Sequence, residues 1–237
     1  MVRPKGDVRL RFAFLSDIHS NLTALNAVIK DMKADKIIVL GDIVGYGPQP
    51  SEVLEWVRSN ADAVVQGNHD YSVGTGDTSW LNASAAFAAD WTRKVLSYEQ
   101  LNYLASLPQK SFLNFEGHKT LIVHGSPDDP LHEYVFPQTH DTLFENYLRK
   151  EKVTILAMGH THFPFSTDTP SGTVFNPGSV GQPRDGDPRA SYAIAEITSD
   201  SVRIENRRVE YDIQKTADLI YKAGLPRKFG ERLFQGV

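Results

Sequence analysis

Ala63-Val64-Val65-Gln66-Gly67-Asn68-His69-Asp70 is an apolar strand that stops at a glycine and releases three polar residues. The same form recurs at Phe12-Ala-Phe-Leu-Ser-Asp17-Ile-His19, Ile37-Ile-Val-Leu-Gly-Asp42, Leu121-Ile-Val-His124-Gly and Ile155-Leu-Ala-Met-Gly-His160-Thr-His162. Each is a buried-type strand ending in Asp, Asn or His. Open α/β sheets bind ligands beyond the carboxyl ends of their strands, where neighbouring loops converge. A single histidine in such a place is more often packed than ligating. Five of the eight histidines fall in these strand-end runs, beside Asp17, Asp42 and Asn68, and that concentration points to a metal site.

The 237 residues, 41% of them hydrophobic, suffice for a sizeable core, and a single domain over 1–237 is expected. The formal charge of −4 comes with no basic block, so a nucleic-acid partner is not expected. With no cysteine, thiolate ligands and disulfides are excluded, and His, Asp and Asn remain as donors. No apolar run approaches a membrane span, and Met1 to Arg11 lacks a signal-peptide core; a soluble, cytoplasmic protein is expected.

Around the motifs, strands alternate with helices. Leu10 to Ser16 precedes Leu22, Leu25, Val28, Ile29 and Met32 at helical spacing, and Lys36 to Leu40 precedes a helix for which Ser51 offers an N-cap. This rhythm predicts a mainly parallel sheet. Residues 71–112 read as a cap-like helical insertion of two helices: Ala83, Phe87, Trp91 and Val95 recur every four residues, and Ser97 to Gln100 forms a capping box. Trp80, Phe87 and Trp91 are expected in the core. Further on, Asp141 to Lys150 reads as a helix and Gly172 to Phe175 as a strand. Ser191 to Ile197 and Val202 to Val209 read as an antiparallel pair, and 213–237 as two C-terminal helices. The late hairpin argues for a mixed, two-sheet core.

Asp17 and His19, like His160 and His162, are two residues apart, and on extended backbone such side chains share a side. Asp, Asn and neutral imidazole suit Mn²⁺, Fe²⁺, Zn²⁺ or Co²⁺ alike. The glycines before Asp42, Asn68 and His160 allow a sharp turn and close backbone approach.

Asp17-x-His19, Gly41-Asp42, Gly67-Asn68-His69-Asp70, His124-Gly125 and Gly159-His160-Thr-His162 together resemble the calcineurin-like metallophosphoesterases, with the match running in order through residues 12–162. The resemblance implies an α/β fold, a four-layer αββα sandwich of two mixed sheets. It also implies two divalent ions, Mn²⁺ being the first expectation, with Fe²⁺ or Fe³⁺, Zn²⁺, Co²⁺ and Ni²⁺ open. Asp17, His19 and His162 would hold one ion, Asn68, His124 and His160 the other, and Asp42 would bridge them. Two ions (+4), two carboxylates (−2) and a bridging hydroxide (−1) leave a positive pocket that attracts phosphate, and the hydroxide would attack phosphorus directly. His69 would act on the leaving-group side, with Asp70 orienting its ring.

Departures narrow the substrate. Protein phosphatases and symmetrical dinucleoside tetraphosphatases of this superfamily carry Asp-Arg where Gly45-Tyr46 stands, and protein phosphatases have Glu at the position of Asp70. The chain is closer to the small bacterial and archaeal phosphodiesterase-like members, whose glycine-rich run Asn176-Pro-Gly-Ser-Val-Gly-Gln-Pro-Arg184 resembles. Tyr46 and Arg184 are the candidate substrate-binding residues, Arg184 either gripping phosphate or standing as a surface arginine in a Gly/Pro turn. The expected activity is hydrolysis of phosphodiesters or small phosphomonoesters. The alternative is a non-catalytic scaffold, as in a retromer subunit that uses this fold for protein contacts. The apolar positions of the C-terminal helices could serve a homo-oligomer. His118, His132 and His140 fit no ligand pattern.

Overall fold

The computed structural model describes residues 10–138 and 141–237; His140 lies outside them. Two five-stranded sheets lie face to face. Sheet A has the order β10-β9-β1-β2-β3 and sheet B the order β4-β5-β6-β8-β7. In sheet A, β1 (Leu10–Leu15), β2 (Lys36–Val39) and β3 (Ala63–Val64) are parallel. β9 (Ala190–Ile197) and β10 (Val202–Val209) form the antiparallel pair, with β9 against β1. In sheet B, β5 (His118–Val123), β6 (Ile155–Ala157) and β8 (Gly172–Asn176) are parallel, edged by β4 (Lys110–Phe115) and β7 (Phe165–Thr169).

Strand alternation builds the layers. Phe12, Phe14, Ala193 and Ala195 of sheet A face Ile122, Ile155, Ala157 and Phe175 of sheet B in a middle core, where the Phe14 and Phe175 rings meet edge to face at 4.9 Å. The intervening Ala13, Leu15, Tyr192 and Ile194 point outward against α1 (Leu22–Asp31) and α2 (Pro50–Asn60), in a core that also takes up residues of α3 (Asn68–Thr75), α4 (Ala83–Val95) and α5 (Tyr98–Ser106). On the far side, Leu121, Val123 and Leu156 face α6 (Asp141–Glu151) through Phe144, Tyr147 and Leu148. The order is helix, sheet, sheet, helix. After β10, α7 (Ile213–Lys222), α8 (Arg227–Glu231) and a 3-10 turn Arg232–Phe234 return towards Tyr46, which packs with Phe229 and Leu233. Among the described residues no helix is long and apolar enough to cross a membrane.

Four expectations need correction. β4 and β7 were not anticipated: both are edge strands, so half their residues face solvent and they lack the apolar run of a central strand. Ser51 does not cap α2, which starts one residue earlier with Pro50 in its first turn; Ser51 Oγ instead accepts a hydrogen bond from Gln100 Nε2 at 2.8 Å. Beyond Gly67 the chain turns at once into α3, so three helices rather than two lie between β3 and β4. Trp80 (69% exposed), which precedes α4, and Phe87 (52%) are not core residues, because α4 buries its small residues Ala85, Ala88 and Ala89; Trp91 is partly buried and packs against that core. The capping box at Ser97 and Gln100 is present, with both reciprocal bonds.

Candidate metal centre

Six of the seven strand-end donors converge at one end of the cleft between the sheets, and the seventh, Asn68, adjoins His69, whose N–H bonds Asp42 Oδ1 at 2.9 Å. Sheet A contributes Asp17, His19, Asp42 and Asn68, and sheet B contributes His124, His160 and His162; all are buried. Asp17, His19 and His162 form one group whose donor atoms lie within 4.8 Å of one another, and Asp42, His124 and His160 form another. Each group draws on both sheets. Asp42 Oδ2 stands between them, 3.6 Å from His19 Nε2 and 3.4 Å from His124 Nε2.

The expected extended spacing is not how the pairs converge. Asp17, His19, Asp42, His160 and His162 have φ of 52, 48, 51, 67 and 64°, all left-handed. Each such residue costs about 1–3 kcal/mol, a strain that persists only where surrounding structure enforces it and that clusters at functional sites. Here the enforcement is main-chain bonding across strands, such as Asp17 N–H to Gly41 O (3.1 Å) and His19 N–H to Asp42 O (3.0 Å).

Hydrogen bonds set the imidazole tautomers. Nδ1 of His19 bonds Val44 O (3.1 Å), Nδ1 of His124 bonds Leu40 O (2.7 Å), and Nδ1 of His162 bonds Gln182 O. A carbonyl only accepts, so each Nδ1 carries the proton and each Nε2 presents a lone pair inward, as outer hydrogen bonds do at metal-binding histidines. His160 is turned the other way, its Nδ1 3.2 Å from His124 Nε2 and its Nε2 3.3 Å from His132 O. Asp17 Oδ1 and Asn68 Oδ1 are buried with no hydrogen-bond partner. Inward lone pairs and orphaned oxygens are the donor set that a divalent cation satisfies, so these residues fit a metal.

Electrostatics follow from burial. It pushes His69 down to about 4 and His160 to about 3, keeping both rings neutral. Burial also opposes charge on His124, yet the Asp42 carboxylate prevails and raises that ring to about 9, so its Nε2 holds a proton facing Asp42 that a cation must displace before the lone pair is available. Asp42 itself is held well below the usual carboxylate range by His124 and His69, against burial. Burial, then repulsion from Asp42, raises Asp70 to about 7.

His69 and Asp70 open α3, and Asp70 does not orient the His69 ring. Its carboxylate accepts from the N–H groups of Val44 and Gly67, both at 3.1 Å, tying the two loops together. His69 Nδ1 is buried without a partner, and its ring lies 4.5 Å from Tyr46 and 5.0 Å from His19. Arg184 is no free surface residue: Nη2 donates to Gln182 Oε1 (2.9 Å), Nε is buried and unpaired, and Cζ is 5.9 Å from the Tyr46 ring. Sequence reasoning missed Tyr134, whose ring stacks on His160 at 3.9 Å, and the carbonyl partners of the histidines; neither residue type nor spacing marks them.

Residues 10–200 match the calcineurin-like phosphoesterase superfamily domain, and the chain belongs to that superfamily. An uncharacterised protein of Methanocaldococcus jannaschii is 42% identical over 97% of this chain and 99% of its own length. The phosphodiesterase YfcE of Escherichia coli K12 is 27% identical over 78% of this chain and 86% of its own. A metallophosphoesterase structure from Sphaerobacter thermophilus superposes with a TM-score of 0.82 at 40% identity, covering 97% of this chain and all (100%) of that one. A Pyrococcus horikoshii protein of similar fold reaches 0.86 at 24% identity, covering 96% and 98%.

Proposed function

We propose that this chain is a two-metal phosphoesterase hydrolysing phosphodiesters or small phosphomonoesters. The observation that carries the reading is the pair of buried donor groups with Asp42 Oδ2 between them. Asp17, His19 and His162 hold one ion and Asn68, His124 and His160 the other, with Asp42 serving both. The bound pair would supply an activated water nucleophile and a clamp for the oxygens of an in-line displacement. Mn²⁺ is the first choice, with Fe, Zn²⁺, Co²⁺ and Ni²⁺ as alternatives, and the cytoplasm is the proposed compartment.

The protein's own groups do the rest. His69 presents the unpaired Nδ1 next to the site; a bound anionic phosphate would raise its depressed pKa, so that the ring takes a proton from water and passes it to the leaving oxygen. Asp70 is a positioning residue, fixing the turn that carries Asn68 and His69. Arg184 holds a non-bridging phosphate oxygen through its guanidinium, and Tyr46 walls the site. Similarity to YfcE, named a phosphodiesterase, supports a diester substrate.

The test is elemental analysis of reconstituted protein together with hydrolysis of bis-p-nitrophenyl phosphate. Two bound equivalents and metal-dependent turnover are expected. Metal-loaded protein inactive on monoesters, linear diesters and cyclic nucleotides overturns the reading in favour of a scaffold.

A further inference from the structure

Several arginines of this chain are paired: Arg208 with Asp185, Arg189 with Asp187, Arg207 with Glu205, and Arg58 with Glu99. Arg184, Lys228 and Arg232 differ. Among the described residues none of the three forms an ion pair with an Asp or Glu side chain, and Arg232 Nε donates to the main-chain oxygen of Val237. All three gather around Tyr46. Arg184 Cζ lies 5.9 Å from its ring, and a cavity of about 170 Å³ is lined by Tyr46, Asn82, Lys228, Phe229 and Arg232. On another side the Tyr46 ring meets His19 at 4.8 Å and His69 at 4.5 Å, so one side chain abuts both the metal centre and this cavity.

The two guanidinium groups feel each other: burial, then the charge of Arg184, holds Arg232 below the ordinary arginine range. Like charges brought close together cost free energy, which an anion between them recovers. Lys228 and Arg232 lie beyond residues 10–200, so two of the three cations come from the C-terminal segment and only Arg184 from the region matched to the superfamily domain.

We propose that Lys228 and Arg232 form a second anion subsite beside the metal centre, which takes a further phosphate carried by the substrate, with Arg184 standing between it and the scissile phosphate that its guanidinium holds. Resting on the phosphoesterase reading, this narrows the substrate class to small phosphoesters that bear another phosphate. The scissile ester sits at the donor groups and the second phosphate at the Tyr46 cavity.

Two measurements separate the subsite from the parent reading. Metal-stripped protein is titrated calorimetrically with inorganic phosphate, and the Lys228→Gln/Arg232→Gln double variant is expected to bind at least about tenfold more weakly, the scale of a charge-assisted contact. Absence of binding by the unaltered protein, or equal affinity in the variant, overturns the subsite. Because Arg232 is partly buried, the exposed Lys228→Gln single variant provides a fold-neutral check, expected to weaken phosphate binding several-fold, about 3-fold or more; equal affinity counts against the subsite. In Mn²⁺-loaded protein, 1,3-propanediol bisphosphate should inhibit bis-p-nitrophenyl phosphate hydrolysis at least about tenfold better than propyl phosphate. Equal inhibition overturns the subsite and leaves the phosphoesterase standing, whereas loaded protein that hydrolyses nothing but still binds phosphate when stripped removes only the phosphoesterase.

Discussion

Gly67 is pressed against Asp42: a β-carbon built on Gly67 would stand 2.1 Å from Asp42 Oδ1 and 2.3 Å from its backbone nitrogen. The same carboxylate oxygen accepts the His69 N–H at 2.9 Å, so the glycine, the shared carboxylate and the first turn of α3 are locked as one piece. Gly67→Ala must displace Asp42. It is expected to cost about 1–3 kcal/mol of stability, in the range of overpacking, and to abolish metal binding by the Asp42 group. Thermal denaturation and metal content measure the two effects; a variant that keeps both metals and its melting temperature contradicts the packing argument.

Removal of the ions should destabilise as well as inactivate. Buried lone pairs that face one another, such as His19 and His162 Nε2 at 3.3 Å, repel when nothing lies between them. Chelation should therefore lower the Tm, and at metal concentrations about 100 times the Kd the recovered stability should be about 2.7 kcal/mol per site. An unchanged Tm on chelation speaks against the site.

Asp42→Asn tests the proposed sharing of Asp42 by both ions. Losing a ligand should cost at least the roughly 10–100-fold in affinity or activity typical of outer hydrogen-bonding partners. Both ions should weaken, read by titration, because Asp42 lies between the two groups. Selective loss of one ion would assign Asp42 to a single group.

His69→Gln should preserve metal content while lowering kcat by about 10²–10⁴ on esters with alkyl leaving groups, the range of general acid catalysis. With p-nitrophenolate, which leaves without protonation, the loss should be small. Equal losses on both substrates exclude a proton-transfer role.

Away from the site, Glu145 of α6 accepts from the Ser171 hydroxyl (2.5 Å) and backbone N–H (3.0 Å), fixing the helix to the turn between β7 and β8. The Ser171 hydrogen bond, with lesser help from Arg149, lowers the Glu145 carboxyl from 4.5 to about 2. A depressed carboxylate contributes stability that is fully present above its unfolded value and is lost as pH falls through the folded one. The Tm should therefore decline between pH 4.5 and 2 less steeply in Glu145→Gln than in the unaltered protein. Parallel profiles rule out this contribution.

The central strands and their terminal donors were legible because burial on both faces writes an apolar run, and the chemistry follows it directly. β1, β2, β5 and β6 announced themselves in this way. β4 and β7 did not, since an edge strand such as Phe165-Ser-Thr-Asp-Thr169 has one wet margin. Which side of α4 is most buried was also hidden: Ala85, Ala88 and Ala89 pack by closeness of approach, whereas the aromatic spacing favoured Phe87, which is exposed. The left-handed turns at Asp17 and His160 depend on cross-strand main-chain bonds that no local pattern encodes. Arg232 is distant in sequence from every motif, and only the return of the C-terminal helices brings it to Tyr46.

Each donor group takes its members from opposite sheets, and the Phe14–Phe175 contact belongs to the layer between them. The thickness of that layer is thus a gauge for the spacing of the two donor groups. A repacking far from any ligand would slide the two halves of each group apart together, and metal affinity would register the change as a strain meter does. Substitutions such as Phe175→Leu would retune the centre without touching it.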